Sequence, residues 1–222
     1  MDIAIAPDPP AAAQETAGWV ARQLRNAVSR RGVATVAFSG GSTPALMLAA
    51  LAELDLPWES TRVFQVDERI APDGDPDRNA TLLDVLRPCG PSIELMSVTT
   101  KDLEAAVMQY AALLPDKLDV VHLGLGDDGH TASWPPGDSV IDATGKVALS
   151  GEYKGRRRMT LTVEAVNAAR HRVVLATGGA KAPIVERWLL DDHGLPVDRV
   201  GRANTVVVLD SAAAARLPYQ AR

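Results

Sequence analysis

Ala34-Thr-Val-Ala-Phe38-Ser-Gly-Gly-Ser-Thr-Pro44 passes from a short apolar run, through a glycine pair, to a proline that opens an Ala/Leu-rich stretch. The run Ala34–Phe38 reads as a strand and Pro44–Leu54 as a helix, so the segment is the first half of a βα unit. Its loop suits a ligand. Two glycines let backbone N–H groups approach closely. Ser42 or Thr43 is placed to cap the helix, and Pro44 fits its first turn. The helix N-terminus then offers free donors and a positive dipole end to an anion. No Gly-Lys-Ser/Thr follows at the spacing of a Walker loop. A capped βα turn without a ligand would carry the same residues.

Outward from this unit the alternation continues. Strands are expected at Asp2–Ala6, Arg62–Val66, Ile93–Ser97, Asp119–Leu123, Met159–Thr162, Arg172–Thr177 and Thr205–Leu209. Helices are expected at Ala11–Arg30, Ala80–Leu86, Leu103–Leu114, Val163–Ala169 and Ala182–Asp191. Val206-Val-Val-Leu209 is apolar on both faces, as a strand buried in a parallel sheet must be. The pattern predicts an α/β fold, with a mainly parallel sheet and helices on both faces. Two irregular stretches, Arg69–Asn79 and Trp134–Asp138, read as functional loops rather than linkers. With no repeat and no low-complexity linker, the expectation is one α/β domain over residues 1–222.

Composition bounds the partners. A formal charge of −5 and a pI near 5.4 argue against a nucleic-acid or anionic-membrane surface, yet allow a phosphate held by a few local cations. Cys89, the one cysteine, rules out an intramolecular disulfide or a cysteine-built zinc site, and reads as a small inert residue near a turn. The N-terminus lacks the basic and long apolar regions of a signal peptide, and no window nears the roughly 20 apolar residues of a membrane span. A cytoplasmic protein is expected.

Three further strand ends carry chemistry. Gly124-Leu-Gly-Asp-Asp-Gly129 matches a dinucleotide fingerprint in letters only. Asp127 and Asp128 would face a pyrophosphate, and Pro135 and Pro136 arrive too soon for the helix that should hold it. The glycines instead suit the positioning of Asp128 and His130, a carboxylate and an imidazole two residues apart, as a general base requires. Thr177-Gly-Gly-Ala-Lys181 sets Lys181 against a helix dipole, which is reasonable if an anion lies between them. Asp67-Glu-Arg69 brings two carboxylates and a guanidinium to the end of Arg62–Val66. Each of the four has a bland alternative as a turn or a solvated charge cluster. If the strands are parallel, all four loops project from one sheet edge, where open α/β sheets bind ligands. Of the other histidines, His122 reads as a packed strand residue, and His171 and His193 as surface residues. Arg158 heads a strand and is the member of Arg156-Arg-Arg158 placed to enter the site.

Taken with Asp77-Arg-Asn79 and Arg158-Met-Thr-Leu-Thr162, these segments resemble the 6-phosphogluconolactonase family, which shares a superfamily with glucosamine-6-phosphate deaminase/isomerases. The resemblance spans nearly the whole chain. It implies a modified Rossmann-like, doubly wound fold and hydrolysis of 6-phosphoglucono-lactone to 6-phosphogluconate, the second step of the oxidative pentose phosphate pathway. It also implies no metal or organic cofactor. Carried over by position, Gly40, Gly41, Ser42 and Thr43 would line the sugar-phosphate site, Arg69, Arg158 and Lys181 would supply cations, and His130 would be the base. Asp128 would orient it, and Asp67 would direct water or sugar hydroxyls. A monomer or weak homo-oligomer acting on a small phosphosugar lactone is the expectation.

Deaminases resemble Asp-Glu-Tyr at Asp67-Glu68-Arg69 and carry a glutamate where this chain has Pro135, so the lactonase is favoured over an amino-sugar-phosphate deaminase/isomerase. A non-catalytic sugar-phosphate sensor is the other alternative. Sensors of the superfamily typically add a DNA-binding segment, for which this chain has no basic helix. One departure stands out: lactonases usually read Leu-Phe-Pro-Gly where Trp134-Pro-Pro-Gly137 occurs, which is expected to alter the wall of the sugar pocket.

Overall fold

The computed structural model describes residues 1–190 and 194–218. Its centre is a seven-stranded parallel sheet of β1 (Asp2–Ala6), β2 (Ala34–Phe38), β3 (Thr61–Gln65), β5 (Ser92–Glu94), β6 (Val120–Gly124), β9 (His171–Ala176) and β10 (Thr205–Asp210). The spatial order is β1-β10-β9-β6-β2-β3-β5. From β2 the chain steps outward to β3 and β5, returns to β6 on the other side of β2, and steps outward again to β9 and β10. The direction of winding therefore reverses between β2 and β6, and their carboxyl ends flank the crevice where such sheets bind ligands.

Successive residues of each strand face opposite sides, and both sides are buried. Val36, Val120, Val173 and Val208 pack under α1 (Pro9–Arg31) and α2 (Ser42–Ala52). Ala37, Val121, Val174 and Val207 pack on the other face, with side chains of α3 (Leu103–Leu113), α4 (Val163–Ala168) and α5 (Ala182–Leu189). Each fully buried valine contributes about 1.5 kcal/mol relative to an exposed one. Local signals set the bounds of α1: the Asp8 carboxylate accepts from the Ala11 N–H at 2.8 Å, and Gly32 ends the helix in the left-handed region at φ 75°.

Four expectations are corrected. Asp67-Glu68-Arg69 is a strand, β4 (Asp67–Arg69), rather than a loop. Met159–Thr162 does not join the main sheet. As β8 (Arg158–Leu161) it pairs antiparallel with β4 and with an unanticipated β7 (Val147–Leu149) in a separate three-stranded sheet. The helix expected over Ala80–Leu86 is a 3₁₀ segment, Asn79–Cys89, which contains Pro88. Neither Ser42 nor Thr43 caps α2. Both lie in its first turn, Gly41 is the cap at φ 128°, and no side chain bonds the opening N–H groups. Cys89 sits before the turn at Gly90, as read. His122 is fully buried in β6 and His171 is half-buried, while His193 and the expected helix end at Asp191 lie outside the described residues.

Candidate active site

Between the carboxyl ends of β2 and β6 lies a cleft of about 240 Å³. Gly40, Gly41, Ser42 and Thr43 form one wall, His130 and Asp127 another, and Asp67, Arg69, Arg158, Lys154 and Lys181 complete it. Of the ten residues singled out from the sequence, all but Asp128 line this cleft, and Asp128 stands directly behind His130.

Close backbone approach fixes the two glycine loops. A Cβ on Gly126 would lie 1.9 Å from Nδ1 of His130, so only glycine lets the imidazole fold against the loop. A Cβ on Gly40 would lie 1.8 Å from Oδ1 of Asn79. Asn79 in turn donates to the Asp67 carbonyl at 2.9 Å and accepts from Arg69 Nη1 at 2.6 Å, tying the β2 loop to β4. Glu68 points elsewhere. Fully buried, it pairs with Arg78 at 3.1 Å and accepts from the N–H groups of Asn79 and Ala80, so it anchors the Arg69–Asn79 loop and does not line the cleft.

The imidazole of His130 meets Asp128 Oδ1 through Nδ1 at 2.5 Å, which leaves Nε2 for the cleft. The other carboxylate oxygen, Oδ2, accepts from the Tyr153 hydroxyl at 2.6 Å. Burial opposes ionisation of Asp128, but hydrogen bonds from Tyr153 and His130 outweigh it and hold the carboxyl well below its ordinary range. Asp128 is therefore a permanent anion. An anion on Nδ1–H favours the tautomer whose free Nε2 accepts a proton.

Charge around the cleft is arranged for an anion. Arg69 and Arg158 are directly opposite one another on β4 and β8, a like-charge cross-strand pair that opposes sheet formation unless something negative lies between. Burial and the nearby Arg69 charge both pull the Arg158 guanidinium below its ordinary value, and its Nε has no partner among the described residues. Lys181 caps α5, where the dipole is unfavourable, and pairs with Asp127, whose carboxyl it holds below the usual range. The uncapped N-terminus of α2 faces the same space, and Thr43 is linked to Thr177 at 2.7 Å. Asp67 is buried and accepts from the Ser133 hydroxyl at 2.6 Å.

Two features are invisible in the sequence, and one expectation is not met. Tyr153 and Lys154 come from a hairpin turn between β7 and β8, with Lys154 at φ 50° and Gly155 at φ 76°. That turn type needs two left-handed residues, and a lysine in one of them costs about 1 kcal/mol. The available signal was a scarce aromatic beside Lys-Gly in a polar stretch. The Ser133 hydroxyl donates to Asp67, 66 positions away, a pairing that nothing in the chain near either residue announces. Trp134, expected to reshape the pocket, is fully buried and donates to the Leu161 carbonyl at 2.8 Å. Trp134 and Pro135 are buried, Pro136 and Gly137 are exposed, and none of the four lines the cleft.

Residues 7–209 match the family described as glucosamine-6-phosphate isomerases/6-phosphogluconolactonase. A 6-phosphogluconolactonase of Mesorhizobium japonicum is 37% identical over 71% of this chain and 72% of its own. Another, from Nostoc sp., is 30% identical over 97% of this chain and 98% of its own. The solved 6-phosphogluconolactonase of Trypanosoma brucei superposes with a TM-score of 0.84 at 27% identity, covering 98% of both chains.

Proposed function

The chain belongs to the glucosamine-6-phosphate isomerase/6-phosphogluconolactonase family, and we propose that it hydrolyses 6-phosphoglucono-lactone to 6-phosphogluconate by base-assisted attack of water. The observation that carries this is the ionised Asp128 on Nδ1 of His130, at a cleft walled by Arg69, Arg158 and Lys181. Nε2 of His130 takes a proton from water as the oxygen attacks the lactone carbonyl. The carbonyl oxygen becomes an oxyanion, stabilised by Arg69 or by nearby backbone N–H groups. Collapse expels the ring oxygen, which takes the proton back from His130, and the product is an open-chain acid.

Asp128 fixes the imidazole and stabilises its charged form. Lys181, Arg158 and the Ser39–Thr43 loop, with Gly40, Gly41, Ser42 and Thr43, grip the phosphate, so that remote binding energy holds the carbonyl near the base. One oxygen of Asp67 is taken by Ser133, and the other serves water or a sugar hydroxyl. The reaction needs no covalent intermediate: Ser133 is fully buried and outside the cleft lining, and Ser42, which lines it, has no hydrogen bond to His130. Pro135 offers no carboxylate for an amino-sugar deamination, which supports the lactonase over that alternative. The same reading makes the protein a cytoplasmic monomer or weak homo-oligomer with no nucleic-acid or membrane partner. The net charge of −5 supports the lack of a nucleic-acid or anionic-membrane partner, and no helix among the described residues is long and apolar enough to cross a membrane.

The direct test is hydrolysis of freshly generated 6-phosphoglucono-δ-lactone against its spontaneous opening, with ammonia release from glucosamine 6-phosphate as the contrast. His130→Ala is expected to lower kcat by about 10²–10⁴, the range for loss of a general base. A parental kcat would remove His130 from the role.

A further inference from the structure

We propose that Tyr153 is a positioning residue for the base: its hydroxyl holds the Asp128 carboxylate in the one orientation that keeps the other oxygen on Nδ1 of His130. The inference rests on His130 acting as that base.

Asp128 needs such a holder. Its side chain is 37% exposed, so water competes for both oxygens and the carboxylate is free to turn about its terminal bond. Within its own loop it is fastened on one side only, by Nδ1 of His130 at 2.5 Å and the His130 N–H at 3.2 Å, both to Oδ1. Tyr153 supplies the missing restraint on Oδ2 at 2.6 Å, from a different part of the chain. With both oxygens engaged, rotation of the carboxylate breaks both sets of bonds together.

The tyrosine is itself held. The Tyr153 N–H donates to the Arg156 carbonyl at 3.0 Å, and the return bond is 3.3 Å, which closes the hairpin. Lys154 Nζ lies 5.1 Å and Arg158 Cζ 5.0 Å from the centre of the phenol ring. The ring meets the imidazole edge-on, with centroids 5.3 Å apart. The left-handed Lys154 is thus tolerated in a turn whose product is a fixed phenol against the catalytic pair. Burial and the Asp128 charge push the phenol up to about 12, so it stays a donor throughout the working pH range.

Tyr153→Phe removes the hydroxyl and keeps the ring. The variant is expected to lose about ten-fold in kcat, the size of one hydrogen bond to a charged group, with KM unchanged and the thermal midpoint lowered by only a few degrees. In ¹⁵N spectra the ring nitrogens of His130 should move from predominantly Nδ1–H toward a mixture of tautomers, a change that a merely structural residue would not cause. In the His130→Ala background the same substitution should lower kcat no further. Parental kcat and ring shifts in Tyr153→Phe, or an equal loss in both backgrounds, overturn the proposal. If His130→Ala is inactive while Tyr153→Phe is parental, only this inference fails. If His130→Ala is itself parental, the base assignment fails and this inference with it.

Discussion

Gly126 shows how much of the site rests on single residues. Its Cα faces the His130 ring so closely that a methyl group would have to displace the imidazole, since ring atoms of a held histidine cannot give way as a flexible chain end can. Gly126→Ala is therefore expected to fold and bind but to lose activity, with kcat reduced about ten-fold or more and KM little changed, because the proposed base is moved off its geometry. Steady-state kinetics on the lactone check this, and a parental kcat would show that the ring tolerates the shift. At this scale the sequence pointed to His130, Asp128 and Arg158 as candidates, because each sits in or beside a motif whose residues are neighbours in the chain. Tyr153 and the Ser133–Asp67 bond were hidden, since their partners lie 25 and 66 positions away and only folding joins them.

Elements were legible where hydrophobic period and caps agree. Both bounds of β1 and β2 match the expectation, and α1 is framed by Asp8 and Gly32. The small antiparallel sheet was not legible. β4 reads Asp-Glu-Arg, residues with little preference for strands, and β7 is only three residues long. Each becomes a strand only because β8 lies between them to be paired. This sheet sets Arg69 opposite Arg158, the pair that the proposed function places against the substrate. The entrances to α2 and α5 carry the matching prediction. The first turn of α2 is uncapped and Lys181 stands at the start of α5, so a phosphate between them would satisfy both. Lys181→Ala is expected to raise KM for the phosphorylated lactone about ten-fold or more and leave kcat/KM for the unphosphorylated lactone unchanged. Equal losses on the two substrates would move the phosphate elsewhere.

Across the whole molecule, the buried strand β6 makes stability depend on pH. His122 is fully buried, neither ring nitrogen has a partner among the described residues, and burial pulls it from 6.5 down to about 3. The unfolded chain therefore takes up a proton that the native state refuses, and stability falls as pH drops from about 6.5 to about 3. His171, lowered chiefly by burial, acts in the same direction. His122→Leu should flatten this dependence in urea unfolding at neutral and mildly acidic pH. Parallel curves for parent and variant would place the acid sensitivity elsewhere. The sequence by itself determined the α/β class, the strand-end loops and most of the cleft residues, because hydrophobic period, caps and glycine spacing act within a few residues of one another. Tertiary structure decided the winding reversal between β2 and β6, the second sheet, the burial of Trp134 and the seat of Tyr153. Those depend on contacts between distant segments, whose energies are realised only once the core has closed.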